Sequence, residues 1–350
     1  MLNFSAARPI KIQQMNYDTP SCYQPNNMDY LLLLVGLGLL LLAANYLVDA
    51  SVAIAQRAKI SNFIIGLTIV GIGTSAPELF VSVSSAIKNS GDIAMGNVLG
   101  SNIANVFLIL GVTAMILPFP IERLQRVRDI PFLIFVSLLV MVIANDGTLP
   151  GLTNNLSLID GIVLLLLFIS YMGYVIVQKG KDPKKALEEA DEEASSSLTG
   201  KSPWLLWPIA LASLALLIYG GNLFLDSAKN LARAWGMSEA VIAITIVAVG
   251  TSLPELVTAV IAATKKNPQL ALGNVIGSNL FNLMFILGTA ATVRPLSFTT
   301  INIMDYAVMA FAAIMLYVVI FTFKKNKFDR VEGVIFFAAY VAYTVYLLLR

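Results

Sequence analysis

TIVGIGTSAPEL, residues 68–79, followed by AMGNVLGSNIANVFLILG, residues 94–111, decides the fold, because the chain contains both stretches twice. They return as TIVAVGTSLPEL, residues 245–256, and ALGNVIGSNLFNLMFILG, residues 271–288. At a constant offset of 177 residues and with no gap, 24 of the 50 positions in 62–111 are identical in 239–288. Each copy sets one glutamate, Glu78 or Glu255, inside an otherwise apolar run. An ionisable group at membrane depth is expensive and usually functional. Two of them at matched positions in duplicated halves point to one shared site, between the halves, for a cation.

The surrounding composition places these runs in a membrane. Hydrophobic residues make up 57% of the 350 residues and charged residues 13%, against roughly 25% charged in a soluble domain. Apolar stretches cover approximately 29–50, 61–87, 92–117, 130–145, 157–177, 203–226, 238–263, 269–292, 302–322 and 330–349. A crossing helix needs roughly 20 residues, so ten spans are expected, the fourth of them short. The predicted class is an all-α polytopic membrane protein. A net charge of +2 gives no case for nucleic acid. The absence of histidine removes the commonest transition-metal ligand and the usual general base, and Cys22 alone allows no intrachain disulfide. No nucleophile–base pair and no cofactor motif stands out, so an enzyme is not expected.

Charge sets the expected orientation. Of the 23 Lys and Arg, 16 fall in one set of alternate loops and 7 in the other. The positive-inside rule puts the richer set in the cytoplasm and both termini outside. Five spans per half is an odd number, so the second half enters from the opposite side and the repeats are inverted. In many secondary transporters such repeats meet at a midplane site. The expected organisation is a polar extension at 1–28, a first repeat at 29–177, a cytoplasmic linker at 178–202 and a second repeat at 203–350. The extension has no apolar core of signal-peptide type, and Met28 is a candidate start. The linker carries basic residues and then EEADEE, residues 188–193. It reads as a tether, since no loop with fixed calcium-ligand spacing is present.

Pro77 removes a backbone donor and clashes with the carbonyl four residues back, so the helix should break at GTSAPE. Free carbonyls at membrane depth are tolerated where they coordinate ions or line a cavity. At helical spacing Thr74, Ser75 and Glu78 share a side. Thr251, Ser252, Pro254 and Glu255 repeat the register. Hydroxyl, carbonyl and carboxylate oxygens are hard ligands suited to Na⁺ and Ca²⁺. In the second motif Asn97, Ser101 and Asn105 recur every four residues, as do Asn274, Ser278 and Asn282. Gly96, Gly100, Gly273 and Gly277 let a neighbouring helix approach. Asn97, Asn102, Asn274 and Asn279 read mainly as groups that join helices. The motif cores 68–79, 94–111, 245–256 and 271–288 hold no lysine, arginine or histidine, so a cation or protons must neutralise the two carboxylates. Asp49 and Asp226 match at the 177 offset, as do Asn45 and Asn222. A structural or entrance role suits them better than ligation. Asp160 and Asp305 read as caps at helix starts.

On these motifs the chain resembles the calcium/cation antiporter superfamily, specifically its prokaryotic sodium/calcium exchanger type, whose paired alpha repeats match GTSAPE with GNVLGSNIAN and GTSLPE with GNVIGSNLFN over about 29–350. The resemblance implies ten helices in two inverted halves and exchange of Ca²⁺ for several Na⁺, with net charge movement. It implies four ion positions around the acidic residues. Carried over by position, they fall on Thr74, Ser75, Glu78, Ser101 and Asn105, and on Thr251, Ser252, Glu255, Ser278 and Asn282. The carbonyls of Gly71 and Ala248 would join the sodium sites. Relatives that include the potassium-dependent branch carry aspartate where this chain has Asn282, which argues against potassium co-transport. The alternative on the same scaffold is proton/calcium antiport. Its family branch tends to be acidic where this chain has GNVLGSN. The expected partners are the two ions and membrane lipid, with no cofactor, no nucleic acid and no evident obligate protein partner. The expected location is the cytoplasmic membrane.

Overall fold

The computed structural model describes residues 27–145, 155–178, 196–237, 250–299, 301–322 and 326–349. The apolar runs form helices α1 (Asn27–Ala58), α2 (Asn62–Thr74), α3 (Ala76–Ile87), α4 (Gly91–Ile116), α5 (Gln125–Ala144), α6 (Leu158–Gln178), α7 (Pro203–Ala234), α8 (Leu253–Thr264), α9 (Pro268–Val293), α10 (Ile303–Val318) and α11 (Arg330–Leu349). Among the described residues, eight helices are long and apolar enough to cross a membrane, and α2 with α3 makes a ninth span bent by 46°. α8 is a shorter apolar helix of 12 residues where the tenth span is expected, and the first half of that span, 238–249, lies outside the described residues.

The duplication is visible in the coordinates. α3 and α8 begin and end 177 residues apart, and so do α4 and α9. Matched helices run in opposite directions. Asn230, near the end of α7, donates to Asp29 at the start of α1 over 3.1 Å, so α1 and α7 are antiparallel, as inverted halves require. Two short strand pairs tie the halves together. β1 (Phe119–Pro120) pairs with β4 (Lys327–Phe328), and β2 (Asn155–Leu156) pairs with β3 (Leu296–Ser297).

α9 lies at the centre, with every residue of Pro268–Leu280 buried. Its glycines explain how α2 reaches it. A Cβ on Gly273 would sit 2.2 Å from the Phe63 carbonyl oxygen, and one on Gly277 would sit 2.2 Å from that of Leu67. Only glycine admits backbone this close, so the small-residue spacing positions α2 against α9. The periphery turns apolar side chains outward, such as Phe80, Ile169, Trp204 and Phe321.

Three boundaries depart from the expectation. α5 starts at Gln125 rather than near 130. Its first turn is hidden from hydropathy by Asp129, which is buried but held by Arg128 Nε and Nη2, at 2.7 and 3.0 Å, and by Tyr171 Oη at 2.8 Å. α1 and α7 each run 32 residues, about two turns beyond their apolar runs. Asp49 and Asp226 therefore sit inside helices rather than at their ends. The cap readings hold: Asp160 accepts from the Ser157 N–H and hydroxyl at 2.8 and 2.6 Å, and Asp305 forms a capping box with Asn302. Most of the linker, including EEADEE, lies outside the described residues.

Candidate functional site

Both GTS-x-PE motifs break their helices in the same way. Ser75 (φ −83°, ψ 11°) and Ser252 (φ −89°, ψ 9°) leave helical geometry, and Pro77 and Pro254 occupy the first turns of α3 and α8. A proline there loses nothing, because its missing N–H belongs to the unbonded first turn. Glu78 and Glu255 each sit third in a half-helix, where the N-terminal end of the dipole favours a carboxylate. Both are fully buried, and the charged group facing Glu78 is Glu255.

The hydroxyls reach these carboxylates across elements. Ser75 Oγ donates to Glu255 Oε1 at 3.0 Å, and Ser101 Oγ donates to Glu78 Oε1 at 3.4 Å. The second oxygen of each glutamate, Oε2, is buried with no hydrogen-bond partner. Ser252, the counterpart of Ser75, is buried beside Glu78 with its hydroxyl unpaired. Helical spacing placed Thr74, Ser75 and Glu78 as one cluster. The structure divides them, since the non-helical turn at Ser75 sends its hydroxyl to the other half.

Gly71 and the hydroxyl stripe form the adjoining layer. The Gly71 carbonyl accepts from Ser278 Oγ at 3.1 Å, from Thr74 Oγ1 at 3.5 Å and from the Ser75 N–H at 3.3 Å. Thr74 Oγ1 also donates to Asn274 Oδ1 at 3.2 Å. Asn105 and Asn282 lie in matched π-helical segments, Ala104–Leu110 and Phe281–Ile286, a helix form found mostly at functional sites. Asn105 Nδ2 donates to Asn279 Oδ1 at 2.9 Å while its Oδ1 is unpaired. Asn282 is fully buried with both amide atoms unpaired. Ala248 lies outside the described residues.

Of the asparagines expected to join helices, Asn97, Asn274 and Asn279 do so at the site, whereas both side-chain amide atoms of Asn102 are buried and unpaired. Asn97 Nδ2 donates to the Glu78 carbonyl at 3.3 Å and to Ser82 Oγ at 3.0 Å. Asn279 Nδ2 donates to the Asn102 carbonyl at 3.4 Å. Ser82 carried no signal in the sequence, because its counterpart in the second repeat is Ala259.

The arrangement breaks its own symmetry at the thronine pair. Thr74 is fully buried, whereas Thr251 lines a cavity of about 360 Å³ together with Pro77, Phe80, Asn222, Asp226, Lys229 and Pro254. Among the described residues, no group of three or more His, Cys, Asp and Glu is assembled. The site thus offers two carboxylates, hydroxyls, amide oxygens and a carbonyl, all hard oxygen donors.

Comparisons with known proteins bear on the family and the overall fold. A family model described as "Sodium/calcium exchanger protein" matches residues 28–177 and 205–349. The sodium/calcium exchanger MaX1 of Methanosarcina acetivorans is 33% identical over 351 residues, covering 91% of this chain and 98% of that protein. The inner membrane protein YrbG of Escherichia coli is 34% identical over 298 residues, covering 81% of this chain and 86% of its own length. The solved structure of the sodium-calcium exchanger NCX_Mj, soaked with 2.5 mM Na⁺ and 0.1 mM Ca²⁺, aligns with a TM-score of 0.75 at 30% identity, covering 90% of this chain and 97% of that one.

Proposed function

The chain belongs to the sodium/calcium exchanger protein family, and we propose that Glu78 and Glu255 form the shared anionic seat through which it exchanges sodium for calcium across the membrane. One observation carries the assignment of the seat. Each glutamate gives one oxygen to a serine hydroxyl and keeps the other buried and unpaired. A buried carboxylate without a partner is costly. A bound cation supplies the missing interaction, and one Ca²⁺ balances two carboxylates.

Ser75 and Ser101 act as neutral donors that orient the carboxylates and turn their free oxygens to the ions, and Ser252 and Ser278 add hydroxyl oxygens to the cage. Thr74, Thr251, Asn105, Asn282 and the Gly71 carbonyl extend the oxygen cage to the sodium positions, with Ala248 as the counterpart of Gly71. Sodium and calcium compete because both depend on the same two negative charges. Calcium dehydrates into 6–8 oxygen ligands at about 2.3–2.6 Å, so the unpaired oxygens of both halves must converge on it. The protein is a multi-pass membrane transporter. We place it in the cytoplasmic membrane with both termini outside, the repeats at 29–177 and 203–350, and the 178–202 linker in the cytoplasm.

The test is Ca²⁺ uptake into sodium-loaded liposomes holding the purified protein. Uptake exceeding that of choline-loaded controls is expected. Uptake driven instead by a pH gradient at zero sodium would assign proton coupling.

A further inference from the structure

We propose that Asp49–Lys265 and Asp226–Lys88 are alternating latches of the exchange cycle, one closing each face of the bundle, with only the first engaged in this structure. The proposal rests on the exchange reading above, since it names residues that gate the same site.

The engaged latch is built tightly. Lys265 Nζ lies 2.6 Å from Asp49 Oδ1 and donates to the Asn45 carbonyl at 3.0 Å. Ser197 Oγ donates to Asp49 Oδ2 at 2.6 Å, and Ser196 Oγ to the Asp49 carbonyl at 2.8 Å. The Asp49 side chain is 9% exposed. The latch joins the C-terminal part of α1 to the turn after α8. A cavity of about 400 Å³ reaches this layer and stops there, lined by Asp49, Ser196, Lys265 and Asn267 but by no residue of the glutamate site.

The repeat supplies a second copy of the ion pair and of the asparagine beside it at an offset of 177, but not of Ser196 and Ser197. Asp226 matches Asp49, Lys88 matches Lys265, and Asn222 matches Asn45. The lysines occupy the same turn. Each follows its half-helix as cap, at φ −79° and −81°, and each precedes a residue of positive φ, Asn89 at 61° and Lys266 at 60°. Because α1 and α7 are antiparallel, the second set lies at the opposite face. Asp92, at the start of α4, confirms the placement of Lys88 there, since it accepts from the Thr299 N–H at 2.9 Å beyond the end of α9.

The second set is not assembled. Asp226 is 71% exposed and its ion pair is to Lys229 on its own helix, at 3.2 Å. Lys88 is exposed and, among the described residues, makes no ion pair. At this face the cavity lined by Asp226 runs in to Thr251 and Pro254. The cavity at the face with its latch formed touches no candidate site residue, whereas the cavity at the face with its latch unmade reaches Thr251, so the first is the closed face of the proposal. Inverted repeats that exchange conformations exchange these contacts, so in the opposite state Asp49–Lys265 parts and Asp226 meets Lys88.

The experiment uses the full chain in proteoliposomes. Asp226→Lys and Lys88→Asp are each expected to slow sodium-driven Ca²⁺ uptake about tenfold, and the two together to recover to within about threefold of the parent. The residues do not touch in this structure, so a purely structural role here gives no such coupling. A swapped double variant no faster than the slower single one overturns the proposal. A second measurement needs no exchange at all. In a Cys22→Ser background, Thr258→Cys is a probe on α8 between Glu255 and Lys265. Its labelling by an impermeant thiol reagent from the Lys265 face should rise about tenfold when Asp49→Asn is added and fall with Asp226→Asn. Labelling indifferent to both substitutions overturns the latches even where uptake is normal, whereas a parent protein without sodium-dependent uptake overturns the exchange reading alone.

Discussion

Ser75 Oγ donates to Glu255 Oε1 across 3.0 Å, so the residue at the helix break of one repeat serves the carboxylate of the other. The two halves therefore share one site through a hydrogen bond as well as through charge. The contact exists because Ser75 leaves helical geometry. A continuous helix would have turned its hydroxyl toward its own Glu78.

Ser75→Ala should weaken Ca²⁺ binding without unfolding the protein. A hydrogen bond to a charged group contributes about 1.5–3 kcal/mol, which corresponds to a rise of about ten- to a hundredfold in the Ca²⁺ concentration for half-maximal uptake. Ser252→Ala should cost less, because the Ser252 hydroxyl is unpaired here. Calcium titrations of both variants in the same liposomes check the order. Equal effects would mean that the two serines are equivalent through the cycle.

Glu78→Gln and Glu255→Gln should each abolish exchange. The change keeps the size and removes one of two anionic ligands, leaving a divalent ion half-balanced. Loss of one member of a buried charge pair costs about 2–5 kcal/mol, so uptake should fall by about thirtyfold or more. The comparison is made on protein whose elution profile matches the parent. Near-parental uptake by either variant would place the calcium seat elsewhere.

Much of this was legible in the sequence for a physical reason. Unpaired charge is costly at membrane depth, so Glu78 and Glu255 stood out as site candidates, and the fixed 177 offset paired them. The breaks at Pro77 and Pro254 followed from proline's missing donor. What stayed hidden was whatever depends on tertiary partners. Asp129 looked like a helix boundary because nothing in the sequence says that Arg128 and Tyr171 close around it. Asn97 looked like a joint between helices because its acceptor, the Glu78 carbonyl, is a backbone atom. The asymmetry between Asp49 and Asp226 also involves partners outside the repeat register, since Asp226 pairs with Lys229 where the first repeat has Val52, and Asp49 takes Ser197 from the segment between the halves.

Asn282→Asp tests how close the amide stripe lies to the ions. Asn282 is fully buried with both side-chain amide atoms unpaired. A third carboxylate there exceeds the charge of one Ca²⁺ and must take up a proton or another monovalent cation. Exchange should acquire a dependence on pH or on K⁺ that the parent lacks. An unchanged pH profile and ion requirement would put Asn282 outside the electrostatic reach of the site.

Exchange should also move net charge. Family resemblance implies more than two Na⁺ per Ca²⁺, and two carboxylates suffice to balance one Ca²⁺ but not three Na⁺. The two loaded forms of the carrier then differ in charge, and the field acts on that difference at about 2.3 kcal/mol per elementary charge per 100 mV. An inside-negative potential should favour Ca²⁺ extrusion coupled to Na⁺ entry, the direction that keeps internal Ca²⁺ low. The check is Ca²⁺ flux at fixed ion gradients, with the vesicle potential clamped by K⁺ and valinomycin and direct K⁺ effects excluded by a control without the ionophore. With more than two Na⁺ per Ca²⁺ the gradient at which flux reverses must shift with the clamped potential. A reversal point that ignores the potential would mean electroneutral exchange of two Na⁺ per Ca²⁺.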